Sequence, residues 1–187
     1  MDAIKTYLNG LVKLSDAEWA DFEKCLRKET VTRKSFLLKE GQVCNFLAFI
    51  GNGMFRFYTT EGGEEKVTAF FFSGDFFSNY RSFLTGFPSR HYIEAMQDSV
   101  IFMIEKKDLL ALYDKHRNLE RLGRFFAENL YLGVANRLDS FLFDSPKERY
   151  DDLVRRNSKL LNAIPQYMVA SYLGIKPESL SRIRARK

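Results

Sequence analysis

Ile164-Pro165-Gln166-Tyr167-Met168-Val169-Ala170-Ser171-Tyr172-Leu173-Gly174-Ile175-Lys176-Pro177-Glu178-Ser179-Leu180-Ser181-Arg182-Ile183-Arg184-Ala185-Arg186-Lys187 reads as two short helices closed by a tight turn. Pro165 suits the first turn of a helix, where its missing N–H is an orphan donor anyway, and Gly174 supplies the positive φ that ends that helix. A second helix starts near Pro177. Val169 and Leu173 lie four apart and Leu180 and Ile183 three apart, so with Ile175 between them they form one small shared core. Ala170 lets the two helices cross closely. These spacings predict a helix-turn-helix. Lys176, Pro177, Glu178, Ser179, Ser181, Arg182, Arg184, Arg186 and Lys187 are then left on or beside the outer face of the second helix, and Gln166 opens the first. They are the candidate DNA-binding residues, because arginine, glutamate and serine can reach base edges while the basic tail meets phosphates. An ordinary αα-hairpin with a solvated charged face is the competing reading. It does not account for small residue, turn glycine and apolar positions falling together with the basic excess.

Immediately upstream, Leu119, Leu122, Phe126, Leu130, Val134, Leu138 and Phe141 recur at helical spacing and predict one long helix, broken near Asp144-Ser145-Pro146. A stripe of this length can pack on its own domain or pair with a second copy. Two-fold symmetry is the usual mode of helix-turn-helix proteins, so Leu119, Leu122, Phe126, Leu130, Val134 and Leu138 are the candidate dimer interface. Lys147 to Asn162 is charged and helix-prone, and a hinge is expected near Phe143 to Pro146.

Toward the amino terminus the period changes. Ser15-Asp16-Ala17-Glu18 is a capping-box start for a helix burying Trp19, Phe22 and Leu26. From about Thr32, short aromatic and aliphatic runs follow: 46–50, 54–58 and 67–72, with 91–95 and 99–104 as two further strands. Glycines punctuate them about every ten residues, the pattern of a small antiparallel sandwich or barrel. Such barrels often enclose one ligand.

The 187 residues carry a net charge of +5, with 45% hydrophobic and 15% aromatic residues. That is ample for packed cores and favours a polyanionic partner. Cys25 and Cys44 are too few for a disulfide framework, and no Cys-x-x-Cys pair seats zinc or an iron–sulfur cluster. Only His91 and His116 are present and no carboxylates cluster among the strands. A cupin-like enzyme is therefore disfavoured, and no metal or cofactor is expected. No signal peptide or membrane span is read, so a cytoplasmic location is expected.

In this order of parts the sequence resembles bacterial transcription regulators of the catabolite activator/fumarate-nitrate regulator (Crp/Fnr) superfamily. The resemblance rests chiefly on Tyr167 to Arg184, and on Gly74-Asp75-Phe76-Phe77 to Ser89-Arg90-His91-Tyr92-Ile93-Glu94-Ala95, which stands in the place of the family's phosphate-binding cassette. Members that bind cyclic AMP place a glutamate on the ribose hydroxyl and an arginine on the cyclic phosphate. Here those places read Ser78-Asn79 and Ser89-Arg90, with Arg90 one residue displaced. The resemblance implies an α+β fold: an N-terminal antiparallel β-roll or jelly-roll sensor domain, cyclic-nucleotide-binding-like, over residues 1–115, a dimerisation helix over 116–143, and a C-terminal helix-turn-helix domain over 144–187. The candidate ligand pocket is Phe77, Ser78, Asn79, Ser89, Arg90 and Phe126. The expected function is a dimeric, sequence-specific regulator acting on a palindromic operator in double-stranded DNA, with RNA polymerase as a further candidate partner. Its effector, where one exists, is expected not to be cyclic AMP. The alternative is a ligand-binding or protein-interaction module with vestigial DNA binding.

Overall fold

A computed structural model describes residues 1–156, 161 and 163–185. The chain forms two compact units: residues 1–59 with 69–127, and residues 60–68 with 128–187.

The first unit opens with helices α1 (Asp2–Leu11) and α2 (Asp16–Cys25). α2 begins in the capping box read from the sequence: the Ser15 hydroxyl accepts from the Glu18 amide at 3.2 Å, and the Glu18 carboxylate accepts from the Ser15 amide at 2.8 Å. Eight strands follow: β1 (Arg27–Val31), β2 (Phe36–Leu38), β3 (Phe46–Asn52), β4 (Met54–Glu61), β5 (Glu64–Phe72), β6 (Phe76–Phe77), β7 (Tyr92–Ala95) and β8 (Ser99–Glu105). They make two four-stranded sheets, ordered β1-β8-β3-β6 and β2-β7-β4-β5. β8 runs antiparallel to both β1 and β3, β6 to β3, and β7 to both β2 and β4, with Ala48 opposite Met103 and Phe57 opposite Ile93. Alternation along β4 sends Phe55 and Phe57 into the core shared with Val31, Leu38, Ile50, Phe77, Ile93 and Ile101. The close passage of β3 into β4 requires glycine at position 53: its φ is +137°, and a Cβ there would lie 2.1 Å from Ser99 Oγ.

Short helix α3 (Tyr80–Thr85) lies between β6 and β7, and α4 (Lys106–Lys115) follows β8. A second core joins Ile4, Leu8, Trp19, Phe22, Phe49, Phe83, Ile104, Leu109 and Leu112 to the start of helix α5 (Arg117–Phe143). This corrects part of the dimer stripe. Leu119 and Leu122 are 2% and 3% exposed inside that core, and Phe126 packs on Phe76 at a ring separation of 5.0 Å. Helical period identifies a stripe but not what it faces, and here the first two turns face their own domain. The exposed apolar part begins at Leu130.

In the second unit the rest of α5 is followed by α6 (Pro146–Arg156), α7 (Gln166–Leu173) and α8 (Pro177–Ala185). Pro165 stands at the N-cap of α7, extended at ψ 138°, rather than inside its first turn. Gly174 is left-handed at φ +67° and closes α7. Val169, Ala170, Leu173 and Leu180 are buried, whereas Ile175 and Ile183, expected in the same core, are half-buried. The β4–β5 hairpin tip belongs to this unit. Ser171 Oγ accepts from the Val67 amide at 2.9 Å and donates to the Glu65 carbonyl at 3.1 Å.

Candidate functional site

Two places carry the residues singled out by the sequence. The first is the cassette. Asn79 caps α3, its Oδ1 accepting from the Ser82 amide at 3.1 Å, and its Nδ2 donates to Ser89 Oγ at 2.9 Å. Ser89 Oγ also accepts from the His91 amide and donates to the His91 carbonyl, both at 2.9 Å. Asn79 and Ser89, two of the candidate pocket residues, therefore come together as neutral groups that satisfy each other. Ser78 turns its hydroxyl to the Phe46 carbonyl at 2.8 Å. Arg90 is exposed while Ser89 is 4% exposed, and a bend at Arg90 and His91 separates them from β7.

Phe77 points into the roll, ringed by Phe55, Phe57 and Phe71 at centroid separations of 5.1, 6.0 and 5.7 Å. Phe126 is not part of this place. It belongs to the helical core, stacked over Tyr7 at 6.4 Å. Sequence reasoning also missed the inner layer of the cassette: Ser82, whose hydroxyl accepts from the Cys44 amide and donates to the Phe87 carbonyl, and His91. Burial, reinforced by the charge of Arg81 and opposed by Glu40, holds the His91 imidazolium below its ordinary pKa. It missed as well the buried pair in which Arg56 Nε and Nη2 both donate to Glu94 Oε2, at 3.0 and 2.6 Å, with the guanidinium over Tyr58. Neither charge carries a local motif that sets it apart from a solvated one.

The second place is the helix pair. Gln166 is exposed at the start of α7, and Lys176, Pro177, Glu178, Ser181, Arg182 and Arg184 are exposed on and before α8, with Ser179 half-buried. Leu180 is 1% exposed and anchors the opposite face. Arg186 and Lys187 lie outside the described residues. The end of α5, the start of α6 and the end of α7 enclose a polar cleft of about 640 Å³. Arg137 and Arg149 from the first two of these helices reach the last carbonyls of the third.

Residues 28–116 match the cyclic nucleotide-binding domain family. Solved structures match over most of the chain. FixK2 from Bradyrhizobium japonicum is 15% identical, with a TM-score of 0.75 over 86% of this chain and 83% of its own. A proposed transcriptional regulator of the Crp/Fnr family from Eubacterium rectale is 16% identical, with a TM-score of 0.72 over 97% and 87%. The chain shares the fold of these two proteins. The c-di-GMP responsive global regulator CLP of Xanthomonas campestris shares this fold too, at 17% identity and a TM-score of 0.69 over 92% and 91%. No curated protein matches. Among the described residues, no helix is long and apolar enough to cross a membrane.

Proposed function

We propose that the protein is a homodimeric, sequence-specific DNA-binding regulator of the Crp/Fnr type, acting in the cytoplasm, with α7 and α8 as its helix-turn-helix. The observation that carries this reading is the division of α8 into one buried anchor, Leu180, and an exposed face of Glu178, Ser181, Arg182 and Arg184. A helix so divided can enter the major groove with its amino-terminal half toward the bases and its basic end toward phosphates. Dimerisation is assigned to the exposed ridge of α5, where Leu130, Val134 and Leu138 recur every four residues and Tyr131 and Leu142 flank them, all within an arc of about 120° at 3.6 residues per turn.

The roll serves this function without cyclic AMP. A ribose-binding carboxylate and a phosphate-binding guanidinium each contribute about 1.5–3 kcal/mol when charge-assisted. Asn79 and Ser89 offer neither and are occupied with each other. Selection of bound sequences from random duplexes tests the main claim: a palindrome with half-sites one helical turn apart is expected, and recovery of no enriched sequence sinks it.

A further inference from the structure

We propose that Arg137 and Arg149 are positioning residues that fix the reading pose of the helix pair by clasping the turn between α7 and α8. The inference rests on the DNA-binding reading above. Tyr172 and Leu173 are the last two residues of α7, where helix geometry leaves carbonyls without intrahelical donors. Arg137, from α5, donates from Nη2 to the Tyr172 carbonyl at 2.9 Å. Arg149, from α6, donates from Nε to the Leu173 carbonyl at 3.2 Å. Two cations thus cap the negative end of one short helix.

Aromatic rings hold both guanidiniums in place. The Arg137 guanidinium carbon lies 4.0 Å from the Tyr172 ring centroid and 5.0 Å from that of Phe141, and Arg149 lies 5.0 Å from the same Phe141 ring. Arg149 Nη1 also donates to the Asp144 carbonyl at 2.7 Å, which ties the α5–α6 break to the clasp. Phe141 in turn leaves no room beyond Gly174, where an added Cβ would approach its Cε1 to 2.7 Å. The last turns of α5 therefore meet the turn of the helix pair through ring contact and directed donors together. A lysine would supply the charge without the planar stack or the fork.

A residue that poses α8 without touching DNA leaves a particular signature. Specific binding, which needs base edges aligned, suffers; non-specific binding, which needs only charge near phosphates, does not. In the full chain, Arg137→Gln is expected to weaken the selected operator about tenfold, by loss of a charged hydrogen bond. A scrambled duplex should be unaffected within about twofold, and the slope of affinity against salt unchanged. Arg137→Lys should not rescue, and Arg149→Gln should act in the same direction. Hydrogen exchange at the Gly174 and Ile175 amides, which close the turn on Ser171 and Ala170, should quicken in each variant.

Equal losses on both duplexes, no loss on the operator, or a salt slope reduced by about one would each overturn the proposal, the last because it marks a phosphate contact. Should the wild-type chain select no duplex, the DNA-binding reading fails. The exchange measurement then decides the clasp by itself: quicker exchange at the turn upholds it, and unchanged exchange overturns it.

Discussion

The Asn79 side-chain amide donates to the Ser89 hydroxyl across 2.9 Å, joining the cap of α3 to the segment that leads into β7. Ser89 is the centre of this closure, since its hydroxyl also receives the His91 amide and gives its proton to the His91 carbonyl. Ser89→Ala leaves buried donors without an acceptor and is expected to cost about 1–3 kcal/mol in urea unfolding. In the wild-type protein, calorimetry should find no cyclic AMP site of micromolar affinity or tighter. Such a site, competed by cyclic GMP, would contradict the closed cassette.

His91 makes the cassette sensitive to acid. Its imidazolium is held below the ordinary value of 6.5, so the unfolded chain takes up a proton that the folded chain declines. The stability this contributes is complete above pH 6.5 and is lost as the pH falls from there through the folded value. Urea midpoints measured between pH 7.5 and 5 should therefore decline more steeply in the wild-type chain than in His91→Gln. Parallel profiles would show that other groups set the decline.

Substitutions on α5 should act differently at its two ends. Val134→Asp or Leu138→Glu, on the exposed ridge, should yield folded monomers by light scattering and circular dichroism. Leu122→Ala removes a side chain only 3% exposed in its own core, and should cost about 2–5 kcal/mol without dissociating the dimer. A monomeric wild-type chain with full operator affinity would refute the dimer.

Two glycines of the second unit give opposite expectations for alanine. Gly174 combines a φ of +67° with a Cβ position 2.7 Å from Phe141, so Gly174→Ala should destabilise by more than about 1 kcal/mol. Gly133 sits in mid-helix with nothing within 4 Å of its Cβ position, and Gly133→Ala should stabilise by about 0.5–1 kcal/mol. Thermal unfolding of both variants checks the pair.

On α8 two arginines should fail in distinguishable ways. Arg182→Ala should cost about 1–3 kcal/mol per half-site and relax preference at one base pair. Arg184→Ala, nearer the helix end, should weaken all duplexes alike and reduce the salt slope by about one. Fluorescence anisotropy on the selected operator and a scrambled duplex separates them, and equal losses on both for Arg182→Ala exclude it as a base reader.

Much of this architecture was legible because apolar period reports burial directly. The runs at 46–50, 54–58 and 67–72 are strands, and the stripe from 119 to 141 is one helix. Strand β1 was not legible: in Arg27-Lys28-Glu29-Thr30-Val31 only Val31 is buried, so no alternation shows. Leu119 and Leu122 were placed in the right helix and the wrong contact, because spacing carries no information about the partner surface. Asn79 and Ser89 were two of six candidate pocket residues, and their mutual hydrogen bond depends on a chain path no local pattern encodes. Arg137 and Arg149 looked like two more surface cations. Their distinction lies in facing main-chain oxygens, which sequence does not mark.

The hydroxyl of Ser171 has a consequence for solubility. Strand β5 lies at the outer edge of its sheet, and the amide of Val67 and the carbonyl of Glu65 are a donor and an acceptor two residues apart on one side of that edge. An open edge of this kind is a template on which a strand from another molecule can add. One serine occupies both groups at once, so the growing end of an aggregate finds neither hydrogen-bonding position vacant while α7 stays in place.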